Sequence, residues 1–128
     1  ISPSMSTGEI QLLFDMVYEQ QRDDEMGAGR YAFYFLPGVY GTDEEPLQIF
    51  VGYYTEIMGL GLAPGDVQIN GRVQVYNRCG VRSEGDENDM NRCIALVNFW
   101  RALSNVVVNI NTGGEEGCRS GTNFWAVS

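Results

Sequence analysis

Apolar residues at Ile10, Leu13, Phe14, Val17 and Tyr18 recur three and four positions apart, the spacing that gathers one face of an α-helix. Just ahead of them, Ser6-Thr7-Gly8-Glu9 reads as a capping box, with Ser6 accepting from the Glu9 backbone N–H and Glu9 reaching back. Glu19, Gln20, Arg22, Asp23 and Asp24 make a polar end, and Met26-Gly27-Ala28-Gly29 leads out. A single apolar stripe predicts a helix lying on a sheet edge or on the end of a β stack.

After the helix the period changes. Tyr31 to Leu36 is a β-rich run, apolar on both faces and stopped by Pro37-Gly38, which predicts an internal strand. Val39-Tyr40, Leu47 to Val51 and Tyr53 to Met58 read as further short strands. Val67-Gln68-Ile69 and Val73 to Tyr76 alternate on either side of Asn70-Gly71, which suits either a type I′ hairpin or a corner in a coil. Val106 to Ile110 is the strongest β segment, Cys93 to Phe99 is apolar, and Asn123 to Ser128 begins another strand. Stopping inside a strand, like the absence of an initiating Met before Ile1, is expected of part of a longer, processed protein.

Two architectures fit this order of elements within one domain spanning residues 1–128. One is a right-handed parallel β-helix, with a cap over about residues 4–25 and first rungs over about 31–128. The other is an antiparallel β-sandwich. Asn70, Asn105, Asn109 and Asn111 favour the coil, since Asn tolerates the left-handed conformation that repeated corners need.

Composition narrows the chemistry. The chain carries eight basic residues, all Arg, against 17 acidic ones, with no Lys and no His. Ser-His-Asp and Cys-His nucleophile systems, Schiff-base lysines and His-ligated metals therefore lack a required member. The net charge of −9 argues against nucleic acid as a partner, and no apolar run approaches the length of a membrane span. No cofactor is implied.

Cys79 and Cys93 flank a polar, acidic segment, and a disulfide between them would close a loop worth roughly 3 kcal/mol. Three reduced thiols are the other reading. With the bridge made, Cys118 needs a partner in another chain or in sequence beyond residue 128.

The amphipathic helix, the aromatic strand and the corner Pro37-Gly38-Val39-Tyr40 resemble the opening of the pectate-lyase-like right-handed β-helix superfamily. The segments from Gly52 to Gly61, Val67 to Gly71 and Asn98 to Val106 are similar to rungs of one group within it. That group comprises secreted proteins of filamentous fungi and actinomycetes, commonly labelled coagulation-factor-5/8-type or pectate-lyase-superfamily proteins. The resemblance implies a secreted, extracellular protein longer than this chain that acts on or binds polysaccharides. No catalytic residue carries over to a position here.

Candidate chemistry is sparse. Loop carboxylates (Asp43, Glu44, Glu45; Glu84, Asp86, Glu87, Asp89; Glu115, Glu116) read as solvated charge, and their spacing misses a calcium loop. Asp66 is expected to cap its turn, and Glu56 to be a paired or outward surface residue rather than to face a groove. Sugar rings stack on aromatic faces, which singles out Tyr54, Trp100 and Trp125, although burial in the core is the more expected role of each Trp. Arg101 is a candidate hydrogen-bonding neighbour, but is expected first as a salt-bridge or turn-carbonyl partner. The expected function is a carbohydrate-active β-helix protein, hydrolase or lyase, with its reacting residues beyond this chain. The alternative is a non-catalytic carbohydrate-binding or self-assembling module.

Overall fold

The computed structural model describes residues 1–75, 78–79, 93–94 and 99–110. Helix α1 covers Thr7–Gln21 and opens with the capping box that the sequence predicts. Ser6 Oγ accepts from the Glu9 N–H at 3.2 Å, and Glu9 Oε2 accepts from the Ser6 N–H at 2.8 Å. Ile10 and Phe14 are buried, whereas Leu13 stays exposed. The remaining buried helix residue is polar: Gln21 Nε2 donates to the Tyr53 carbonyl at 2.8 Å and to the Gly29 carbonyl at 3.2 Å. The Gln21 carbonyl in turn accepts from the Tyr53 N–H at 2.9 Å. A buried amide satisfied in this way ties the last helical turn to the chain ahead of the central strand.

The strands are β1 (Tyr31–Phe35), β2 (Gly38–Tyr40), β3 (Leu47–Phe50), β4 (Thr55–Gly59), β5 (Val67–Gln74), β6 (Arg78–Cys79), β7 (Cys93–Ile94), β8 (Arg101–Ser104) and β9 (Val107–Asn109). One sheet runs β1-β4-β8, and β5 pairs with β2, β3 and β9, all in parallel. Among the described residues only β6 and β7 pair antiparallel, with Cys79 opposite Cys93. Among the described residues the fold is thus mainly β, with one α-helix and, apart from β6-β7, parallel pairing. The antiparallel sandwich fails because neighbouring strands come from successive passages of the chain rather than from hairpins. Pro37 and the turns after β4 and β8 send the chain on to the second sheet instead of reversing it.

Three further expectations change. Asn70-Gly71 forms no hairpin: it lies inside β5, where the strand leaves β2 for β3. A Cβ on Gly71 would run into the Leu47 carbonyl, so the close approach of the two backbones requires glycine. Val73 onward is accordingly the second half of β5 and not a separate strand. Strand β1 is not internal but lies at the sheet edge, with Ala32 and Tyr34 exposed. Its inward aromatics face the helix, with Phe14 stacked on Phe33 and Phe35 at centroid distances of 4.0 and 6.0 Å. The edge is partly covered by Ile1, whose ammonium donates to the Tyr34 carbonyl at 2.7 Å and whose carbonyl accepts from the Leu36 N–H at 3.0 Å.

Of the asparagines, Asn105 adopts the expected left-handed conformation, φ 53°. Asn70 and Asn109 instead sit in strands, where Asn109 Nδ2 donates to Asn70 Oδ1 at 3.1 Å and Asn70 Nδ2 to the Gly41 carbonyl at 3.0 Å. Asp66 caps its turn as expected, accepting from the Ala63 N–H at 3.0 Å.

Register builds the core from ladders. Ile57 lies between Phe33 and Leu103, and Ile69 between Tyr40 and Val108. Strands β3, β4 and β5 alternate buried with half-buried positions throughout, so one face of each points inward. Each fully buried Ile, Leu or Val on that face contributes about 1.5–3 kcal/mol relative to exposure. Among the described residues no helix is long and apolar enough to cross a membrane. Cys118, Trp125, Asn111, the carboxylates of 84–89 and 115–116, and the segment 123–128 lie outside the described residues.

Candidate functional site: an exposed aromatic column

The outward side of the β1-β4-β8 sheet carries an open depression of about 540 Å³ at the beginnings of its strands. Register explains its lining. Tyr31, Thr55 and Arg101 are aligned across the three strands, so the residues just before them, Arg30, Tyr54 and Trp100, fall in one column. The Tyr31 N–H donates to the Tyr54 carbonyl at 3.0 Å and keeps the first two of these residues level.

Tyr54 and Trp100 both have left-handed backbones, φ 53° and 61°. Bulky residues seldom adopt this conformation, because Cβ crowds the backbone. Here it turns both rings out of the strand direction and onto the same surface. The rings stack with centroids 6.2 Å apart and 22° between planes, and the Arg30 guanidinium lies 3.5 Å from the Tyr54 centroid. Trp100 remains 71% exposed. The Tyr54 hydroxyl donates to the Glu25 carbonyl at 2.6 Å, which anchors the ring from its far end.

Arg101 supports the column from behind. Its Nε donates to the Val51 carbonyl at 2.9 Å and Nη1 to the Phe99 carbonyl at 3.2 Å, while its guanidinium lies 4.4 Å from the Tyr53 ring centroid. Burial holds its pKa below the ordinary arginine value, opposed by Tyr53 and Tyr18. Bonded to Phe99 just before the bend and to Val51 on an earlier passage of the chain, Arg101 holds the turn from which Trp100 projects. The turn-carbonyl reading of Arg101 therefore describes it better than a ligand-contacting one.

One step along the strands, Ala32, Glu56 and Ala102 form the next row. The two methyl groups leave a trough with the Glu56 side chain at its centre. Tyr54, Trp100 and Arg101 line one depression, while Trp125 lies outside the described residues. The sequence reading missed Arg30 and favoured a paired or outward surface role for Glu56, which instead lines the depression. Their signal is positional, since Arg30-Tyr31 stands in register with Tyr54-Thr55 and Trp100-Arg101, and that register is not written in any local motif. Among the described residues no group of three His, Cys, Asp or Glu side chains is placed to hold a metal ion.

No protein-family model matches the chain. Over 124 residues, 96% of its length, it is 37% identical to a curated protein, an exo-beta-1,3-glucanase of Streptomyces sp. (strain SirexAA-E / ActE). It is similar to part of a glucanase. The chain spans only 16% of that relative's length. Its structure resembles sacteLam55A from Streptomyces sp. SirexAA-E, with a TM-score of 0.65 and 32% identity over 85% of this chain and 17% of the other. A variant of the same protein in complex with glucose matches with a TM-score of 0.63, 34% identity and the same coverage.

These matches correct the resemblance drawn from the sequence: the similar proteins are an exo-beta-1,3-glucanase and sacteLam55A, not members of the pectate-lyase-like superfamily. The motif that suggested that family has a local cause. In the Pro37–Tyr40 corner, the Tyr40 hydroxyl donates to the Leu36 carbonyl at 2.5 Å and its ring packs edge-on against Phe35 at 4.8 Å. Any chain that must turn from one sheet into the next can use such a corner, so it carries little family information.

Proposed function

We propose that this chain is part of a secreted polysaccharide hydrolase and that the Arg30–Tyr54–Trp100 column is a surface on which its glucan substrate stacks. The observation that carries this reading is the pair of left-handed aromatic residues at matching positions of adjacent strands, stacked on each other, with Tyr54 half-buried and Trp100 exposed. Such conformations cost about 1–3 kcal/mol each and cluster at ligand-binding sites. Similarity to an exo-beta-1,3-glucanase supplies the substrate class, a β-1,3-linked glucan.

Bond cleavage is assigned to residues elsewhere in a longer protein. Glycosidases use two carboxylates about 5–9.5 Å apart, and among the described residues Glu56 is the only carboxylate lining the depression. The parallel stack is read as the opening turns of a coil that continues there. Secretion fits a Cys79–Cys93 disulfide, for which the backbone register sets the two residues opposite each other. A mass increase on reduction and alkylation, beyond that of alkylation alone, tests it.

The decisive experiment is titration of the full chain with β-1,3-linked and β-1,4-linked gluco-oligosaccharides, followed by calorimetry, for the wild type and Trp100→Ala. The expected result is binding of the β-1,3-linked series, weakened at least about tenfold by the substitution, as lost base–aromatic stacking of similar area would do. Equal affinity of the variant, or no affinity of the wild type for either series, overturns the proposal.

A further inference from the structure

Glu56 occupies the centre of the trough, on the middle strand of the sheet. Its register partners on both sides are alanines, so no cation or hydrogen-bond donor stands directly opposite it. It forms no hydrogen bond or ion pair with any described residue. The two arginines that share the depression are directed elsewhere. Arg30 donates to the Gly27 and Gly29 carbonyls at 2.9 and 2.7 Å, and Arg101 to the Val51 and Phe99 carbonyls. An acceptor left unengaged on a face that otherwise offers aromatic rings and methyl groups has chemistry to give to a ligand.

Geometry sets what that ligand can be. Glu56 follows Tyr54 by two positions, roughly 7 Å along a strand. A sugar ring stacked on the column therefore projects its hydroxyls over the trough. A carboxylate accepts two hydroxyl hydrogen bonds at once, and such charge-assisted bonds are stronger than neutral ones. It also repels a second carboxylate.

We propose that Glu56 is the specificity residue of this surface, accepting from hydroxyls of a neutral sugar unit stacked on Trp100 and excluding uronic-acid units. This rests on the stacking proposal and deepens it. The role is one of binding and selection; no proton is transferred.

The test uses the full chain with a neutral β-1,3-linked gluco-oligosaccharide and an oligogalacturonate of equal length. Wild type is expected to bind the neutral ligand in preference. Glu56→Gln keeps the shape and removes the charge, and is expected to weaken the neutral ligand about tenfold and to narrow the preference by a similar factor. Ala102→Leu fills the trough without altering the carboxylate, and is expected to reduce neutral binding in the same direction. Unchanged affinity and preference in Glu56→Gln, while Trp100→Ala still weakens binding at least about tenfold, overturns the role of Glu56 and leaves the stacking surface standing. Loss of neither interaction in any variant overturns both. Matching thermal unfolding curves for wild type and Glu56→Gln show that the change acts on the ligand and not on the fold.

Discussion

The β1-β4-β8 sheet has left-handed, non-glycine residues at both ends, and they do different things. At the far end of β8, Asn105 turns its amide inward, donating to the Gly59 carbonyl at 2.8 Å and to the Gly61 carbonyl at 2.9 Å. A Cβ on Gly59 would collide with the Asn105 carbonyl, so glycine and asparagine make that corner together. At the beginnings of β4 and β8, the same backbone conformation carries Tyr54 and Trp100, whose rings are turned outward. Asn is suited to the left-handed region by its short polar side chain, whereas the aromatics have no such relief. One end of the sheet uses the conformation for cohesion. The other uses it for display, and that contrast marks the candidate site.

Substitutions break or sharpen this contrast. The largest effect is expected inside the core that both ends share: Ile69→Ala should lower unfolding free energy by about 2–5 kcal/mol in denaturant titrations. Its side chain is wholly buried between Tyr40 and Val108. At the cohesive end, Asn105→Ala should cost roughly 1–3 kcal/mol, because two carbonyls lose their donor and alanine inherits a strained φ. Asn105→Gly should recover only the backbone part.

Next comes the helix cap. Ser6→Ala should cost about 1 kcal/mol by the same measurement. Glu9 makes that region sensitive to acid. The Ser6 backbone N–H, and then its side chain, hold the Glu9 carboxyl below its ordinary pKa. A depressed carboxyl stabilises the fold above its unfolded pKa, and that stabilisation is lost as pH falls through the lower folded value. Glu9→Gln should therefore reduce thermal stability near neutrality and converge with wild type in acid. Ser6→Ala should leave most of this dependence, since the backbone N–H remains.

The smallest stability change belongs to the display end. Trp100→Gly relieves the backbone and removes an exposed ring, so unfolding free energy should move by no more than about 0.5 kcal/mol, while glucan binding is lost. A costly Trp100→Gly together with a harmless Asn105→Ala would reverse the contrast.

Local spacing was sufficient for α1, its capping box, the Asp66 turn and most strand positions, but it missed β8, and of the described asparagines expected at left-handed corners only Asn105 adopts one. The features it found depend on neighbours within about one turn or one strand, where residue type acts directly on the backbone. It misplaced β1, because a run apolar on both faces does not say which face a helix will cover and which solvent will meet. It also left open whether Asn70-Gly71 turns the chain, since that depends on whether a second backbone passes close by; that of Leu47 does.

The candidate site divides in the same way. Tyr54, Trp100 and Arg101 could be singled out as aromatic and cationic residues beside short strands, but nothing local joins Arg30 to Tyr54 or sets Glu56 between Ala32 and Ala102. Those relations are created when parallel strands from distant parts of the chain align, and pairing register is a property of the packed sheets. Residue chemistry was therefore readable one position at a time, whereas the column, the trough and the open carboxylate came into being only where three passages of backbone met.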